Sequence, residues 1–196
     1  MKALLSTLLA AALLAGCATL NQLGCEVTSY GSWPAGRKPG TYAFDRLPSQ
    51  QAQPAEADAV EAEARPALEQ AGFVAAAPGQ APDVLVQVGL RATRTEVYVW
   101  DDPMWWHGGF GPWRRGPWPG PFWGPGAGYA APRYGSEAGV LLRDRASGKP
   151  LYESHAGADT GGRTDPAIGV ALFQAALMDL PHTGINPRRV VVPLAP

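Results

Sequence analysis

The chain has 196 residues, a formal net charge of −1 at pH 7 and only 17% charged residues. This near-neutral balance gives no basic field for nucleic acid, and the length suits one domain once a leader is set aside. The leader comes first: Lys2 precedes an uncharged apolar run from Ala3 to Leu14. The run is too short for a bilayer core of roughly 30 Å, which takes about 20 residues. A charged start, a short apolar run and small residues at its end predict an export signal over residues 1–16.

The end of this signal carries a more specific motif. Residues 14–17, Leu-Ala-Gly-Cys, resemble the bacterial lipobox. The resemblance implies cleavage before Cys17 and acylation of Cys17, and several acyl chains hold a protein firmly on a membrane. Because Ala18 stands where an Asp retains lipoproteins in the inner membrane, we expect an outer-membrane anchor and a domain that faces the periplasm. The alternative is an ordinary secretory signal that happens to contain a cysteine.

A short tether is expected next, so that residues 17–26 comprise the lipidated cysteine and tether and residues 27–196 form a single domain. The tether contains Cys25, an odd thiol in an oxidising compartment. Such a cysteine indicates an intermolecular disulfide or a free thiol. The alternative is a small apolar residue in a partly buried strand.

The first half of the domain predicts two strands and a helix. The strands are expected at residues 27–30 and 40–44, each followed by turn-forming Gly or Pro. Between residues 56 and 71, apolar side chains recur at helical spacing, namely Val60, Ala64, Leu68 and Ala71. Pro66 inside this helix predicts a kink, or a second part of the helix that begins at Pro66.

The clearest strand follows Pro82 and Asp83, because apolar residues alternate from Val84 to Ala92. Beyond Thr93 the alternation changes parity, which predicts a bulge or bend near residue 94. Residues 101–135 then form an insert rich in Gly, Pro and Trp. Its glycines and prolines exclude a continuous helix or a central strand.

The second half predicts a hairpin, a helix and an edge strand. The hairpin pairs residues 139–142 with 151–156. The helix is expected from about Asp165, which can cap it, to Pro181, with Pro166 in its first turn. Residues 189–192 can add a last edge strand. The whole order predicts an α+β fold: a mostly antiparallel sheet, two helices packed on one face and a long Gly/Pro/Trp-rich loop.

Several segments in this order resemble a known family. The lipobox is followed by Val-Thr-Ser-Tyr at 27–30, by Thr-Tyr-Ala-Phe at 41–44 and by a helix end, Leu-Glu-Gln-Ala-Gly-Phe, at 68–73. Next come Pro-Asp-Val-Leu-Val at 82–86 and, after Gly-Val-Leu-Leu-Arg-Asp at 139–144, Ser-Gly-Lys-Pro-Leu-Tyr at 147–152. This order and spacing resemble the bacterial lipoproteins with domain of unknown function 4136, over about residues 27–181. The resemblance implies a location and an approximate fold, and no activity or catalytic residue.

The insert holds the candidate contact residues, because six of the seven tryptophans lie between residues 100 and 123. Trp combines a large apolar face with one N–H donor, which suits stacking on sugars or peptides and insertion at a bilayer interface. Neighbouring arginines can meet phosphates or stack on the rings. The candidate contacts for a membrane, a glycan or an envelope protein are Trp105, Trp106, Trp113, Arg114, Arg115, Trp118 and Trp123. The alternative is that the rings bury one another and part of the sheet, or that the segment is low-complexity sequence.

Metal and cofactor motifs are not found in the sequence. The three histidines, His107, His155 and His182, have no metal-ligand spacing. Asp101 and Asp102 near His107 are typical of a solvated acidic turn. We therefore expect no metal and no cofactor.

Catalytic motifs are likewise not found, since no nucleophile elbow or phosphate-binding loop occurs. We expect a non-enzymatic structural or binding module of the cell envelope. One alternative is a carrier of a small apolar ligand. A less favoured alternative is a cell-wall hydrolase, which would need a cluster such as Ser154, His155 and Asp159.

Overall fold

The computed structural model describes residues 21–95, 133–161 and 165–194. This part of the chain contains seven strands and three helices, so the α+β class is confirmed. In chain order the elements are β1 (Gln22–Gly31), β2 (Gly40–Phe44), α1 (Pro48–Gln51), α2 (Pro54–Gln70), β3 (Phe73–Ala75), β4 (Val84–Thr95), β5 (Arg133–Asp144), β6 (Pro150–Asp159), α3 (Pro166–Leu177) and β7 (Arg188–Pro193).

The strands form one sheet in the order β3-β2-β4-β5-β6-β1-β7. Its pairs are antiparallel, as predicted, except that β2 runs parallel to both β3 and β4. The predicted hairpin is β5 and β6, and the predicted edge strand is β7, which pairs with β1.

Strand β1 begins earlier than predicted, because Gln22 to Glu26 are part of the strand and not a tether. Leu23, Cys25 and Val27 are buried in alternation with exposed neighbours. This period of two continues the pattern of the predicted strand toward the amino terminus.

Strand β4 stays in one register with β5 along its whole length, from the pair Val84–Asp144 to the pair Thr95–Arg133. The pairing contains no bulge up to Thr95, so the predicted bulge near Arg94 is wrong. Each residue of β4 pairs with one residue of β5, and this pairing fixes the register. The change in side-chain polarity beyond Thr93 does not alter it. Because β5 begins at Arg133, the last residues assigned to the insert belong to the sheet.

The predicted helix boundary at Pro66 is wrong, because α2 is a single helix that runs through it. Proline deprives the carbonyl of Ala62 of its intrahelical partner. Both Ala62 and Pro66 are exposed, so water can replace that hydrogen bond.

Helix α3 begins as predicted. Asp165 lies at its N-cap, where the carboxylate accepts a hydrogen bond from the Ala167 N–H at 2.9 Å, and Pro166 occupies the first turn. The helix ends at Leu177, ahead of Pro181. Both of its sides are buried, since α3 contacts α2 as well as β1, β5, β6 and β7.

One apolar core joins the long helices to the sheet. Helix α2 contacts β3, β4 and α3, and its buried residues belong to the same cluster as those of α3 and of the strands. On the strands, the core takes alternate residues, such as Val84, Val86 and Val88 of β4. The residues between them, such as Gln87 and Arg91, lie on the opposite face of the sheet.

Candidate functional site

The residues predicted to contact a membrane or partner lie outside the described residues. They are Cys17, Trp105, Trp106, Trp113, Arg114, Arg115, Trp118 and Trp123. The structure does describe the strands from which their segments leave, and these strands fix where each segment is attached.

The sheet register aligns four strands on one line. Glu26 of β1 pairs with Gly157 of β6, which pairs with Glu137 of β5, which pairs with Arg91 of β4. Four residues from this line in one direction, β1 begins at Gln22, β4 ends at Thr95 and β5 begins at Arg133. These three positions therefore lie at the same end of the sheet. We call it the proximal end, and the end at which β1 finishes the distal end.

Two spacings limit how far apart the predicted contact segments are attached. Three strand spacings of about 4.8 Å separate β1 from β4, which gives about 14 Å across the sheet. Cys17 precedes Gln22 by five residues, a reach of at most about 17 Å. The segment with Cys17 and the Trp-rich segment thus leave the sheet side by side at the proximal end.

Four ionisable side chains, Arg91, Glu137, Glu153 and His155, lie together on the sheet face opposite the core. Arg91 Nη2 is 3.2 Å from Glu137 Oε2, and His155 Nδ1 is 3.6 Å from Glu137 Oε1. His155 Nε2 is also 3.2 Å from Glu153 Oε1. The His155 ring lies over Gly139 of the neighbouring strand, where an added Cβ would be in van der Waals contact with the ring at 3.4 Å. Glu137 and His155, together with Glu26 and Asp159, border a shallow groove of about 380 Å³, which is a polar surface suited to polar contacts.

The residues considered for a hydrolase do not assemble. Ser154 is fully buried, and its hydroxyl donates to the Thr28 carbonyl at 3.1 Å. His155 is the next residue along β6, so its side chain lies on the other face of the sheet. Asp159 accepts a hydrogen bond from the Gly161 N–H at 3.1 Å. Ser154 and His155 therefore cannot act on one substrate atom.

The distal end is bound together by two aspartates. Asp83 Oδ2 accepts from the backbone N–H and the hydroxyl of Thr41, at 2.8 and 2.7 Å. Asp144 accepts from the Ser147 hydroxyl and N–H and forms an ion pair of 2.7 Å with Arg37. These donors hold the pKa of both carboxyls below the usual range, the Thr41 N–H most strongly at Asp83 and the Ser147 hydroxyl at Asp144.

The groove beside these aspartates measures about 670 Å³ and also includes Lys38 and Arg145. Each aspartate already has its partners within the protein, and both link strand ends or a turn. We therefore assign the distal aspartates a structural role.

A second distal cluster surrounds Ser29, which is fully buried. Asn186 accepts from the Ser29 N–H at 2.8 Å and donates to the Ser29 carbonyl at 2.7 Å, so its side chain replaces a neighbouring strand. Arg188 donates to the Ser29 hydroxyl at 3.3 Å and pairs with Asp179 beyond the end of α3. This cluster fixes the turn that leads into β7.

Cys25 is a buried free thiol in β1 and is 1% exposed. Burial raises its pKa to about 11, which keeps the sulfur protonated and unreactive at neutral pH. Of the alternatives, the structure favours the small apolar residue in a strand.

Within the described ranges, no group of three or more potential ligands is placed to hold a metal ion. In the same ranges, none of the helices is both long and apolar enough to cross a bilayer.

The fold defines the class of protein as an α+β domain whose long helices pack against a mostly antiparallel sheet. The chain belongs to the family described as "Domain of unknown function (DUF4136)", whose profile matches residues 26–181. The predicted family is thereby confirmed. No curated protein matches the sequence.

One solved structure shows a similar fold at low sequence identity. A PDZ domain protein from Parabacteroides distasonis is 16% identical, with a TM-score of 0.54. The similarity covers 87% of this chain and 38% of that chain, so our chain spans well under half of it. Two PelC dodecamer structures from Paraburkholderia phytofirmans, one a single-substitution variant, are 10% and 11% identical with TM-scores of 0.40 and 0.38. They cover 78% of this chain and 95% and 94% of theirs.

The sequence interpretation missed the distal network, although one part of it had a local signal. Asp144 followed three residues later by Ser147 and then Gly148 is typical of an Asx turn. The partners of Asp83 and Ser29 lie at least forty positions away in sequence, so only the folded chain brings them together.

Proposed function

We propose that this protein is a lipoprotein of the bacterial outer membrane, held by acyl chains on Cys17, that serves as a non-enzymatic binding module facing the periplasm. The lipobox-like end of the leader supports the anchor. The observation that carries the proposal is the shared proximal end, at which β1 begins and the Trp-rich segment is attached.

The domain serves as a rigid scaffold in this proposal. We infer that α2 and α3 cover one face of the sheet together, because the strand residues in their common core share one parity. The opposite face then presents its charged side chains to the periplasm. Two long paired strands, β4 and β5, hold the ends of the Trp-rich segment in place.

The Trp-rich segment acts as a second, weak attachment beside the lipid. Its rings suit the headgroup level of a bilayer, and Arg114 and Arg115 suit lipid phosphates. A glycan or an envelope protein close to the membrane is a second kind of partner, because the Trp rings can also stack on sugars or peptides and the arginines can pair with their acidic groups. Among these, contact with the membrane itself follows most directly from the position of the segment beside the anchor.

Fractionation tests the anchor. We expect the wild-type chain to sediment with outer membranes, and Cys17→Ser to remain unacylated with its leader attached. A Cys17→Ser chain that is still acylated and cleaved before residue 17 would show that the anchor is assigned to the wrong residue.

Tryptophan emission tests the second attachment. The probe is a chain exported by a signal without a lipobox cysteine and carrying Trp33→Phe, so that only the six tryptophans of residues 100–123 remain. Vesicles of phosphatidylethanolamine and phosphatidylglycerol should shift its emission to the blue. A matched chain that keeps Trp33 but lacks residues 100–132, and with them all six probe tryptophans, should show no shift. Equal spectra with and without vesicles for the first chain would contradict membrane contact.

A further inference from the structure

Strand β4 has an open edge over its second half. Its neighbour β2 pairs only with Val84, Leu85 and Val86. On that side the Val86 carbonyl accepts from the Asp45 N–H at 2.9 Å, and the Val88 carbonyl accepts from the Gln50 side chain at 2.6 Å.

The next two backbone positions on this side are Leu90 and Ala92, because successive residues of a strand present their polar groups to opposite edges. Among the described residues, none bonds to the N–H or the carbonyl of either position there. Within the described residues, the hydrogen bonds on this edge of β4 therefore end at the Val88 carbonyl, which Gln50 meets. Beyond Val88, every second residue of β4 presents an N–H donor and a carbonyl acceptor.

A small groove of mixed lining adjoins the same edge. Its polar lining residues are Ser49, Gln50, Gln53 and Glu56, and its other lining residues are Ala57, Val60, Gly89 and Leu90. Ala57 and Val60 of α2 face Leu90 across a cavity of about 190 Å³. A strand laid along β4 would place alternate side chains over this groove, which accepts small apolar groups.

A carboxylate without a partner lies beside the groove. Glu63 Oε2 is buried and receives no hydrogen bond from the part of the chain that the structure describes. It packs against Gly169 next to the Leu90 side chain. Burial raises the pKa of Glu63, as expected for a carboxylate that lacks a donor. Glu56, which lines the groove, adds a second negative charge.

We propose that the open edge of β4 binds an extended segment of another protein by strand addition, with small apolar side chains in the groove and a Lys or Arg that meets Glu63. The backbone of Leu90 and Ala92 provides the pairing, and the two glutamates provide the preference for a basic strand. This inference uses described residues alone, so it holds or fails independently of the anchor at Cys17.

Charge also argues against a second copy of this chain as the occupant. A two-fold pairing of β4 with β4 would bring the two α2 helices side by side, with Glu56 and Glu63 of each facing those of the other. Like charges in such positions oppose pairing.

The test measures binding of a labelled peptide to the full-length chain in detergent by fluorescence anisotropy. The probe is the capped heptapeptide Thr-Val-Thr-Lys-Thr-Val-Thr, whose Val and Lys side chains lie on one face of the strand and so meet the groove and Glu63 together, and its control carries Glu at the Lys position. We expect the Lys peptide to bind at least about tenfold more tightly, as a charge-assisted contact with a buried carboxylate implies. Glu63→Gln should remove most of that preference.

The edge itself is tested by Ala92→Pro, which removes an N–H that faces away from β5, with Ala92→Val as the matched control. Binding should be lost in Ala92→Pro and kept in Ala92→Val. A Lys peptide methylated on alternate backbone nitrogens, so that its pairing edge has no donors, tests the same point on wild-type protein and should not bind.

Three results would overturn the proposal. The first is peptide binding that Ala92→Pro and backbone methylation leave unchanged. The second is a wild-type chain that is dimeric in solution and becomes monomeric on Ala92→Pro, which would identify a second copy as the occupant. The third is binding that appears only after deletion of residues 101–132, which would identify the chain's own insert as the occupant.

Discussion

At the distal end of the sheet, carboxylates and a polar side-chain cluster link the strand ends, whereas at the proximal end the described links between strands are uncharged and come from backbone groups and from the Asn21 and Thr160 side chains. The distal links include Asp83 with Thr41, Arg37 with Asp144 and Asn186 with Ser29. At the proximal end, the Leu194 and Thr160 N–H groups donate to backbone carbonyls at 2.8 Å. The difference predicts that a substitution at the distal end costs more stability than a matched substitution at the proximal end.

The largest expected effect compares two glycines of β1. Gly31, at the distal end, has φ = 135°, and an added Cβ would lie 2.4 Å from the Leu151 carbonyl oxygen. Gly31→Ala should therefore lower the free energy of unfolding by about 3 kcal/mol. Gly24, at the proximal end, has open space around it, so Gly24→Ala should change stability by less than about 1 kcal/mol. Urea unfolding measures both, and equal losses would remove the distinction between the two ends.

The next effect compares two asparagines. Asn186→Ala leaves the buried N–H and carbonyl of Ser29 without partners, which should cost about 2 kcal/mol. Asn21 donates to the Leu194 carbonyl at 2.7 Å from an exposed position, so Asn21→Ala should cost less than about 0.5 kcal/mol. Thermal unfolding of the two variants decides the point, and a greater loss in Asn21→Ala would reverse the assignment of roles.

Acid should weaken the distal end first. The pKa of Asp144 lies below its ordinary value of 3.8 in the folded protein, mainly because the Ser147 hydroxyl donates to the carboxylate. A depressed pKa gives stability that is present above pH 3.8 and is lost as the pH falls toward the folded value. We expect the melting temperature to fall in this window and to fall less steeply in Ser147→Ala. Parallel pH curves for the two proteins would exclude this cause.

The smallest effect concerns Glu63, beside Leu90. Burial raises the pKa of Glu63 in the folded chain, so ionisation destabilises the fold as the pH rises above the ordinary value of 4.5. Glu63→Gln should thus stabilise the protein at pH 7, by at most about 1 kcal/mol because the residue is only partly buried. Glu69→Gln, at an exposed position of α2, is the control and should change stability less. A destabilised Glu63→Gln would mean that the carboxylate has a partner in solution.

Local patterns were sufficient for much of the fold. Strand β2, the β5–β6 hairpin, the cap at Asp165 and the edge strand β7 each follow from a short run of residues with turn or cap signals at its ends. The start of β1 was also present in the sequence, since Leu23, Cys25 and Val27 alternate with Gln22, Gly24 and Glu26.

Features that depend on distant pairing could not be predicted in the same way. Strand β3 has three residues and exists because β2 lies beside it, and the parallel pairs of β2 join segments about thirty to forty residues apart. The shared proximal end and the open edge of β4 are likewise properties of the register between strands. A periodicity within one segment contains no information about that register.

The central claim is that Cys17 ties the proximal end of this domain to a membrane, and the mass of the native product tests it most directly. The protein should be purified from the bacterial envelope, and its amino-terminal peptide analysed by mass spectrometry. We predict a first residue Cys17 that carries a diacylglyceryl group and an acylated amine. An amino-terminal peptide without lipid, or one that still contains residues 1–16, would contradict the account.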